Sequence, residues 1–205
     1  MERMSVQPVK DKPLIIGLTG GIASGKTTAS RIFKACHIPI IDSDHIVKEL
    51  WAHDKSMRQE IEDAFGYTMD ESGIKRLTQD IFSNDDKRKV LNRIIHPRVF
   101  KRIEDLKEEL YHEPIIMIDM PLLIEVGYQK EVDITVLVYV DQQTQLKRLI
   151  ARDHLSENDA YMRINSQMSL EEKKAHADVI LDNRSDTHQL EKQIISFLNS
   201  LKHEE

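Results

Sequence analysis

A glycine-rich segment close to the N-terminus contains the residue types that bind polyphosphates. It matches the pattern G-x-x-x-x-G-K-[ST], and its residues are Gly20, Gly21, Ile22, Ala23, Ser24, Gly25, Lys26 and Thr27. Glycines leave room for backbone N–H groups to surround a phosphate, and a lysine adds a positive charge beside the β- and γ-phosphates. A threonine hydroxyl is a hard oxygen ligand that suits Mg²⁺. The segment, to which we add the following Thr28, therefore predicts a nucleoside triphosphate site.

The local context of this segment supports the same interpretation. An apolar run at residues 14–18 precedes it and predicts a strand, and a helical pattern follows it. A helix that begins near Gly25 directs the positive end of its dipole at a bound anion. The alternative is a glycine-rich turn without a ligand. The motif itself does not distinguish a kinase from a GTPase or a motor protein.

Two acidic residues follow a second apolar run, residues 38–41. Asp42 ends this run, and a carboxylate at the carboxyl edge of a parallel sheet can accept the proton of an acceptor hydroxyl during phosphoryl transfer. Asp44 could assist it or bind a metal through water. The alternative is that Asp42 caps the helix that begins after it. Asp42 and Asp44 are therefore candidates for the acceptor site.

A third apolar run, residues 115–118, also ends in an acidic residue. Asp119 could hold Mg²⁺ through water, or it could simply accept hydrogen bonds from backbone N–H groups at the strand end. We assign Leu122, in the turn that follows, to the acceptor site.

Arginines in the C-terminal half could cover the transferring phosphate. Arg148 and Arg152 are four residues apart and so lie on one face of a predicted helix, and Arg163 lies further along. Arginines on a mobile flap can neutralise developing charge and exclude water. A solvated helix face is the alternative.

One sharply basic segment, residues 87–102, reads KRKVLNRIIHPRVFKR and contains no acidic residue. It could dock a phosphorylated acceptor, and His96 could form a hydrogen bond with the acceptor phosphate, although a lone histidine more often has a structural role. The alternatives are a solvated helix face or a weak nucleic-acid patch.

Five apolar runs predict buried parallel strands, because their hydrophobicity is continuous rather than alternating. The longer charged stretches between them have helical spacing, which indicates an α/β fold. We predict a single domain over residues 1–205. Its core lies within residues 13–50, 113–152 and 177–202, a helical insert spans about 51–112, and a lid spans about 153–176.

Composition narrows the possible classes of protein. The chain has 205 residues, a formal net charge of −6 and one cysteine, Cys36. A single cysteine excludes an internal disulfide and is consistent with the cytoplasm. No apolar run approaches the roughly 18 residues of a membrane span, and we expect no secretory signal and no membrane partner. The negative charge argues against a general nucleic-acid binder, so we expect no nucleic-acid partner.

A GTPase switch is disfavoured because the chain lacks an N-K-x-D segment after a late strand. The D-x-x-G match at residues 70–73 does not follow an apolar strand, and we interpret it as a turn.

Taken together, these motifs resemble the dephospho-coenzyme A kinase family. The matching stretches are LTGGIASGKTTASRIF at 18–33, IDSDHIVKEL at 41–50, IIHPRVF at 94–100, DMPLLIE at 119–125, VDQQTQLKRLIARD at 140–153, INSQM at 164–168 and ADVILDN at 177–183. The phosphate loop is common to many kinases, whereas the later stretches in this order are much more specific.

The resemblance implies a P-loop NTPase-like, three-layer α/β/α fold with a parallel five-stranded sheet, a helical acceptor-binding insert and a lid. It implies ATP-dependent phosphorylation of the ribose 3′-hydroxyl of dephospho-CoA, giving coenzyme A and ADP, the last step of coenzyme A synthesis. Residues 22–27 would then surround the ATP phosphates and Asp42 would be the base. Arg148 and Arg152 would belong to the ATP and lid site, and His96 would lie near the acceptor.

The chain departs from the family pattern at a few positions. The family often has D-A-D where this chain has Asp42-Ser43-Asp44, and it often has Gly at Ala23 and Ser at Thr27. The first dozen residues are not covered by the resemblance.

Alternatives remain open at this point. They are another P-loop nucleotide or nucleoside kinase, and a regulatory module that binds nucleotide without chemistry, including an RNA-associated one. We expect a monomer or a weak homo-oligomer with ATP and dephospho-CoA as partners and Mg²⁺ as cofactor.

Overall fold

The computed structural model describes residues 12–201 of the chain. Its elements are, in chain order, β1 (Leu14–Gly20), α1 (Lys26–Ala35), β2 (Ile40–Asp42), α2 (Ser43–His53), α3 (Lys55–Phe65), α4 (Glu71–Ser83), α5 (Asp85–Glu109), β3 (Ile115–Asp119), a 3₁₀ turn (Tyr128–Glu131), β4 (Ile134–Tyr139), α6 (Gln142–Asp153), α7 (Glu157–Asn165), α8 (Leu170–Lys174), β5 (Val179–Asp182) and α9 (Thr187–Ser200).

The five strands form one sheet in the order β2-β3-β1-β4-β5. β1 is central and pairs in parallel with β3 and with β4, and β4 pairs in parallel with β5. Each strand corresponds to one of the apolar runs, so the predicted parallel five-stranded α/β sheet is confirmed. The phosphate loop follows the carboxyl end of β1, which lies between β3 and β4. Open α/β sheets bind ligands at the carboxyl ends of their strands.

The main hydrophobic core lies between the sheet and two helices, α1 and α9. Phe33 of α1 and Phe197 of α9 meet edge to face, with ring centroids 6.4 Å apart and planes at 87°. The helical spacing of the apolar residues at 187–201 predicts an amphipathic helix, and in α9 Leu190 and Ile194 of this stripe are buried. Ile195 is the exception, with 43% of its surface exposed, because it follows Ile194 by one residue and so turns about 100° away from the core.

The contacts divide the chain into two compact units. The first contains the sheet, and the second, Asp42–Glu109, contains α2 to α5. The sequence pattern predicts residues 42–50 as part of the core, but α2 packs on α5 and α3 and so belongs with the helical unit. The buried core of that unit comprises Ile46, Met57, Ile61, Leu77, Leu91, Ile94, Ile95, Val99 and Ile103.

Two local features of the helical unit differ from the sequence expectation. Pro97 predicts a helix start or kink, but α5 runs through it as one helix, so a start there is wrong. Residues 70–73 form the N-terminus of α4 and are not an isolated turn. Asp70 is the N-cap of this helix, and its side chain accepts a hydrogen bond from the Gly73 N–H at 2.8 Å.

Within residues 12–201 we find no helix with the length and apolar character needed to cross a bilayer.

Candidate active site

The phosphate loop joins the end of β1 to the start of α1 through two residues with positive φ. Gly25, the N-cap of α1, has φ +93°, and Ala23 has φ +57°. The left-handed conformation disfavours a residue with a Cβ by roughly 1–2 kcal/mol, so the surrounding contacts must hold Ala23 in place. Since α1 begins at Lys26, its unpaired N-terminal N–H groups lie at the end of the loop.

Three side chains from other elements bind alternate carbonyls of the loop. Lys173 Nζ of α8 lies 3.4 Å from the Gly20 oxygen, and Gln145 Nε2 of α6 donates to the Ile22 oxygen at 2.7 Å. The side-chain amide of a residue that follows β5 supplies the third contact. Its nitrogen, Asn183 Nδ2, donates to the Ser24 oxygen at 2.8 Å.

These contacts determine which way the intervening amides point. In a trans peptide group the N–H points opposite to the C=O, and the described residues contain no cis peptide bond. The N–H groups of Gly21, Ala23 and Gly25 therefore point away from the three side chains. No hydrogen bond from them to another described residue is present. Successive free N–H groups in such a turn form a concave site for an anion.

Ile22 is held through its N–H as well as its carbonyl oxygen. Its N–H donates to Gln167 Oε1 at 3.1 Å, from the segment between α7 and α8. The two glutamine contacts, from Gln145 and Gln167, thus fix two successive peptide groups in the middle of the loop.

Lys26 and Asp119 form an ion pair at the carboxyl edge of the sheet. Asp119 ends β3 and is buried, with 4% of its surface exposed. The pair brings together the loop lysine and the carboxylate that were predicted separately from the sequence.

The turn after β3 is fixed by a second buried lysine. The Pro121 oxygen accepts a hydrogen bond from Thr19 Oγ1 at 2.9 Å and another from Lys173 Nζ at 2.8 Å. Lys173 is fully buried, and its Nζ lies 2.9 Å from Glu125 Oε1. Burial lowers the pKa of Lys173, Glu125 opposes that shift, and the nearby positive charge of Lys26 adds to it.

Asp42 forms the helix cap that the sequence left open as an alternative. Its Oδ1 accepts hydrogen bonds from the N–H groups of Asp44 and His45, at 2.9 and 3.1 Å. Asp42 is exposed, and a cap on one oxygen leaves Oδ2 able to accept a proton. The base assignment stays a prediction, as does a substrate role for Asp44.

Arg148 and Arg152 both lie on α6, as predicted, but they have different partners. Arg148 Nη2 donates to the Asn183 backbone oxygen at 2.9 Å, which places it beside the residue that holds the loop. Arg152 pairs with its neighbour Asp153, whose carboxylate also accepts a hydrogen bond from Arg163 at 3.2 Å.

The basic segment of residues 87–102 lies on α5, where most of its charges are paired within the helical unit. Lys87 pairs with Asp80 at 2.8 Å, and Arg98 pairs with Glu60 at 2.7 Å. Arg93 is exposed and has no acidic partner among residues 12–201. These pairs reduce the net positive charge that α5 can offer to a ligand.

His96 and Leu122 were predicted to contact the acceptor. The His96 ring is half-buried and packs on Phe100, with ring centroids 5.6 Å apart, and burial lowers its pKa. Leu122 is 39% exposed, in the turn after β3. Their contact with an acceptor stays a prediction.

The sequence motifs did not identify the residues that hold the loop from outside. Lys173, Gln145 and Asn183 lie more than 120 positions from the carbonyls they bind. One signal was available: Lys173 follows the buried Leu170 by three positions, so a lysine lies on the apolar face of α8. Such a position indicates a buried partner for the charge.

Comparison with known proteins identifies relatives over nearly the whole chain. Residues 14–189 match the family model described as dephospho-CoA kinase. The dephospho-CoA kinase of Carboxydothermus hydrogenoformans is 41% identical over 92% of this chain and 94% of its own length. The corresponding protein of Arabidopsis thaliana is 39% identical over 92% of this chain and 84% of its own.

A solved structure shows the same architecture. The dephospho-CoA kinase from Campylobacter jejuni superposes with a TM-score of 0.67 and is 25% identical. The match covers 92% of this chain and 97% of that one.

Proposed function

The chain belongs to the dephospho-CoA kinase family and is an ATP-dependent kinase, and we propose that it phosphorylates the ribose 3′-hydroxyl of dephospho-CoA. The products are coenzyme A and ADP. The observation that carries this proposal is the phosphate loop, whose alternate amides at Gly21, Ala23 and Gly25 are free of protein acceptors among the described residues.

In the proposed complex the loop holds the triphosphate of ATP. The free amides and the N-terminus of α1 supply aligned donors and a positive dipole end for the β- and γ-phosphates. Lys26, which is paired with Asp119 here, exchanges that carboxylate for phosphate oxygens. Thr28 lies in the first turn of the same helix.

The transfer itself is an in-line displacement at the γ-phosphorus. The acceptor oxygen forms a bond to phosphorus as the bond from phosphorus to the β–γ bridging oxygen breaks. Asp42 Oδ2 takes the hydroxyl proton, and ADP leaves with the bridging electron pair. Arg148 and Arg152 stabilise the charge that develops on the phosphoryl oxygens.

Mg²⁺ is the expected cofactor, and the donors available suit it. Mg²⁺ binds proteins through one or two hard oxygen ligands and completes its shell with water and phosphate oxygens. Thr27 offers an exposed hydroxyl at the start of α1, and Asp119 offers a carboxylate at the end of β3. Those two residues would hold the ion, which would neutralise phosphate charge when bound.

We assign the acceptor to Asp42, Asp44, His96 and Leu122. Burial lowers the pKa of His96, so its ring stays neutral at a lower pH than the ring of an exposed histidine. A neutral ring can accept as well as donate a hydrogen bond. Arg93, an exposed cation of α5 without an acidic partner among residues 12–201, is the residue that we expect to face an acceptor phosphate.

A panel of acceptors tests the proposal against its nearest rivals. We expect ADP release with dephospho-CoA to match coenzyme A formation one for one, and nucleoside monophosphates to give no product. Turnover of a nucleoside monophosphate in place of dephospho-CoA would identify another P-loop kinase. Tight ATP binding without any phosphorylated product would identify a regulatory module.

A further inference from the structure

We propose that Lys173 is a positioning residue for phosphoryl transfer, which holds the start of the phosphate loop and the turn after β3 in their working geometry. The proposal rests on the kinase function above. Lys173 belongs to none of the assigned catalytic or binding residues, and no sequence motif identified it.

The contacts of Lys173 join three parts of the sheet edge. Its Nζ lies 2.8 Å from the Pro121 oxygen, 3.4 Å from the Gly20 oxygen and 2.9 Å from Glu125 Oε1. Gly20 is the last residue of β1 and starts the loop, and Pro121 follows Asp119 by two residues. One ammonium group therefore connects the loop to the segment that carries Asp119.

The helix that carries Lys173 is itself firmly held. Ser169 and Glu172 form a reciprocal capping box at its start, and Leu170 is buried in a cluster with Leu137 and Tyr139 of β4 and with Val140, which follows that strand. Because its backbone is fixed, the Lys173 ammonium can act as a rigid restraint.

The position of Lys173 has a direct consequence for the loop amides. By drawing the Gly20 oxygen towards α8, it turns the Gly21 N–H to the opposite side, where the phosphate is expected. By binding the Pro121 oxygen together with Thr19 Oγ1, it also limits movement of the turn beyond Asp119. A small displacement of either group from its working position reduces the rate strongly.

Stability alone does not account for this buried pair. Taking a lysine and a glutamate out of water is unfavourable, and apolar residues of similar volume often stabilise a protein as well or better. The pair gives geometric precision instead, since its two carbonyl contacts cannot be made by an apolar side chain.

Paired substitutions separate a positioning role from a structural one. Lys173→Met leaves the Glu125 charge unpaired, so we expect a lower melting temperature as well as lower activity. The double variant Lys173→Met with Glu125→Gln removes both charges of this pair, and we expect its melting temperature to return towards that of the wild type. Its kcat/KM for ATP should stay about tenfold or more below wild type, with the KM for dephospho-CoA unchanged.

Lys174→Met is the matched control, because it makes the same change at the next position of α8, where the side chain packs on Tyr139. It should keep wild-type kinetics. Wild-type kcat and KM for ATP in the double variant would overturn the positioning role. Failure of the wild-type protein to phosphorylate dephospho-CoA would instead refute the proposed function, so the two failures are distinguishable.

Discussion

The side-chain amide of Asn183 lies where a side chain on Gly25 would begin. A Cβ on residue 25 would be 2.0 Å from Asn183 Nδ2, far inside van der Waals contact. Asn183 cannot easily withdraw, because Nδ2 donates to the Ser24 oxygen and its backbone oxygen accepts from Arg148. Residue 25 must therefore be glycine for two reasons. Asn183, which follows β5, leaves no room for a Cβ, and the φ of residue 25 is +93°.

Gly25→Ala should therefore disrupt the loop by two routes, strain and collision. We expect ATP affinity to fall by about a hundredfold or more, since a displaced Ser24 carbonyl turns the Gly25 amide away from the phosphate. Calorimetric titration with ATP measures the loss. Gly127→Ala is the control, because Gly127 has φ +79° with nothing within 4 Å of an added Cβ. It should show backbone strain alone and keep wild-type affinity, and equal losses in both variants would contradict this explanation.

Asp42→Asn tests the base assignment without removing the helix cap. Asparagine is as good an N-cap as aspartate, so α2 should remain intact, but it cannot take up a proton. We expect kcat to fall by roughly a hundredfold or more, with the KM for ATP unchanged.

The control for Asp42 is Asp54→Asn, the same change at the N-cap of the next helix, where Oδ1 accepts from the Met57 N–H. Steady-state kinetics should find it close to wild type. Full activity in Asp42→Asn would remove the base assignment and leave the kinase function intact.

His96 should make the stability of the protein depend on pH in the acidic range. Burial lowers its pKa below the ordinary value of 6.5, so between those two pKa values the unfolded chain binds more protons than the folded one. The contribution of His96 is therefore fully present above about pH 7.5 and is lost as the pH falls through 6.5 and below.

Urea denaturation at pH 8 and pH 5.5 checks this expectation. His96→Gln should lose less stability between the two pH values than wild type, because the amide does not titrate. Parallel losses in the two proteins would show that His96 is not the group responsible.

The sequence alone predicted the parts of this protein that depend on local pattern. The phosphate loop is a contiguous motif whose chemistry follows from Gly25, Lys26 and Thr27, and the strands are continuous apolar runs with strong β propensity. The tail helix α9 was predicted for the same reason, because its 3.6-residue period is visible within fourteen residues.

The residues that hold the phosphate loop could not be predicted, because their contacts join positions that are distant in the sequence. Nothing in the motif itself indicates that Gln145 and Asn183 bind its carbonyls, since those contacts exist once the sheet has brought α6 and β5 to the loop. Pro97 illustrates the converse. A proline predicts a break in a helix, but α5 continues through Pro97. Ile94 and Ile95 before it and Val99 after it are buried in the core of the helical unit, and this packing outweighs the local preference of proline.

Titration of the full-length protein with ATP and Mg²⁺ in a calorimeter tests most directly whether the loop amides and Lys26 hold a triphosphate. We expect one ATP bound per chain, and binding at least about tenfold weaker in Lys26→Ala, which lacks the ammonium group while retaining the amides. Absence of heat with any purine triphosphate at millimolar concentration, in protein shown to be folded by circular dichroism, would contradict the assignment of this loop and the kinase function built on it.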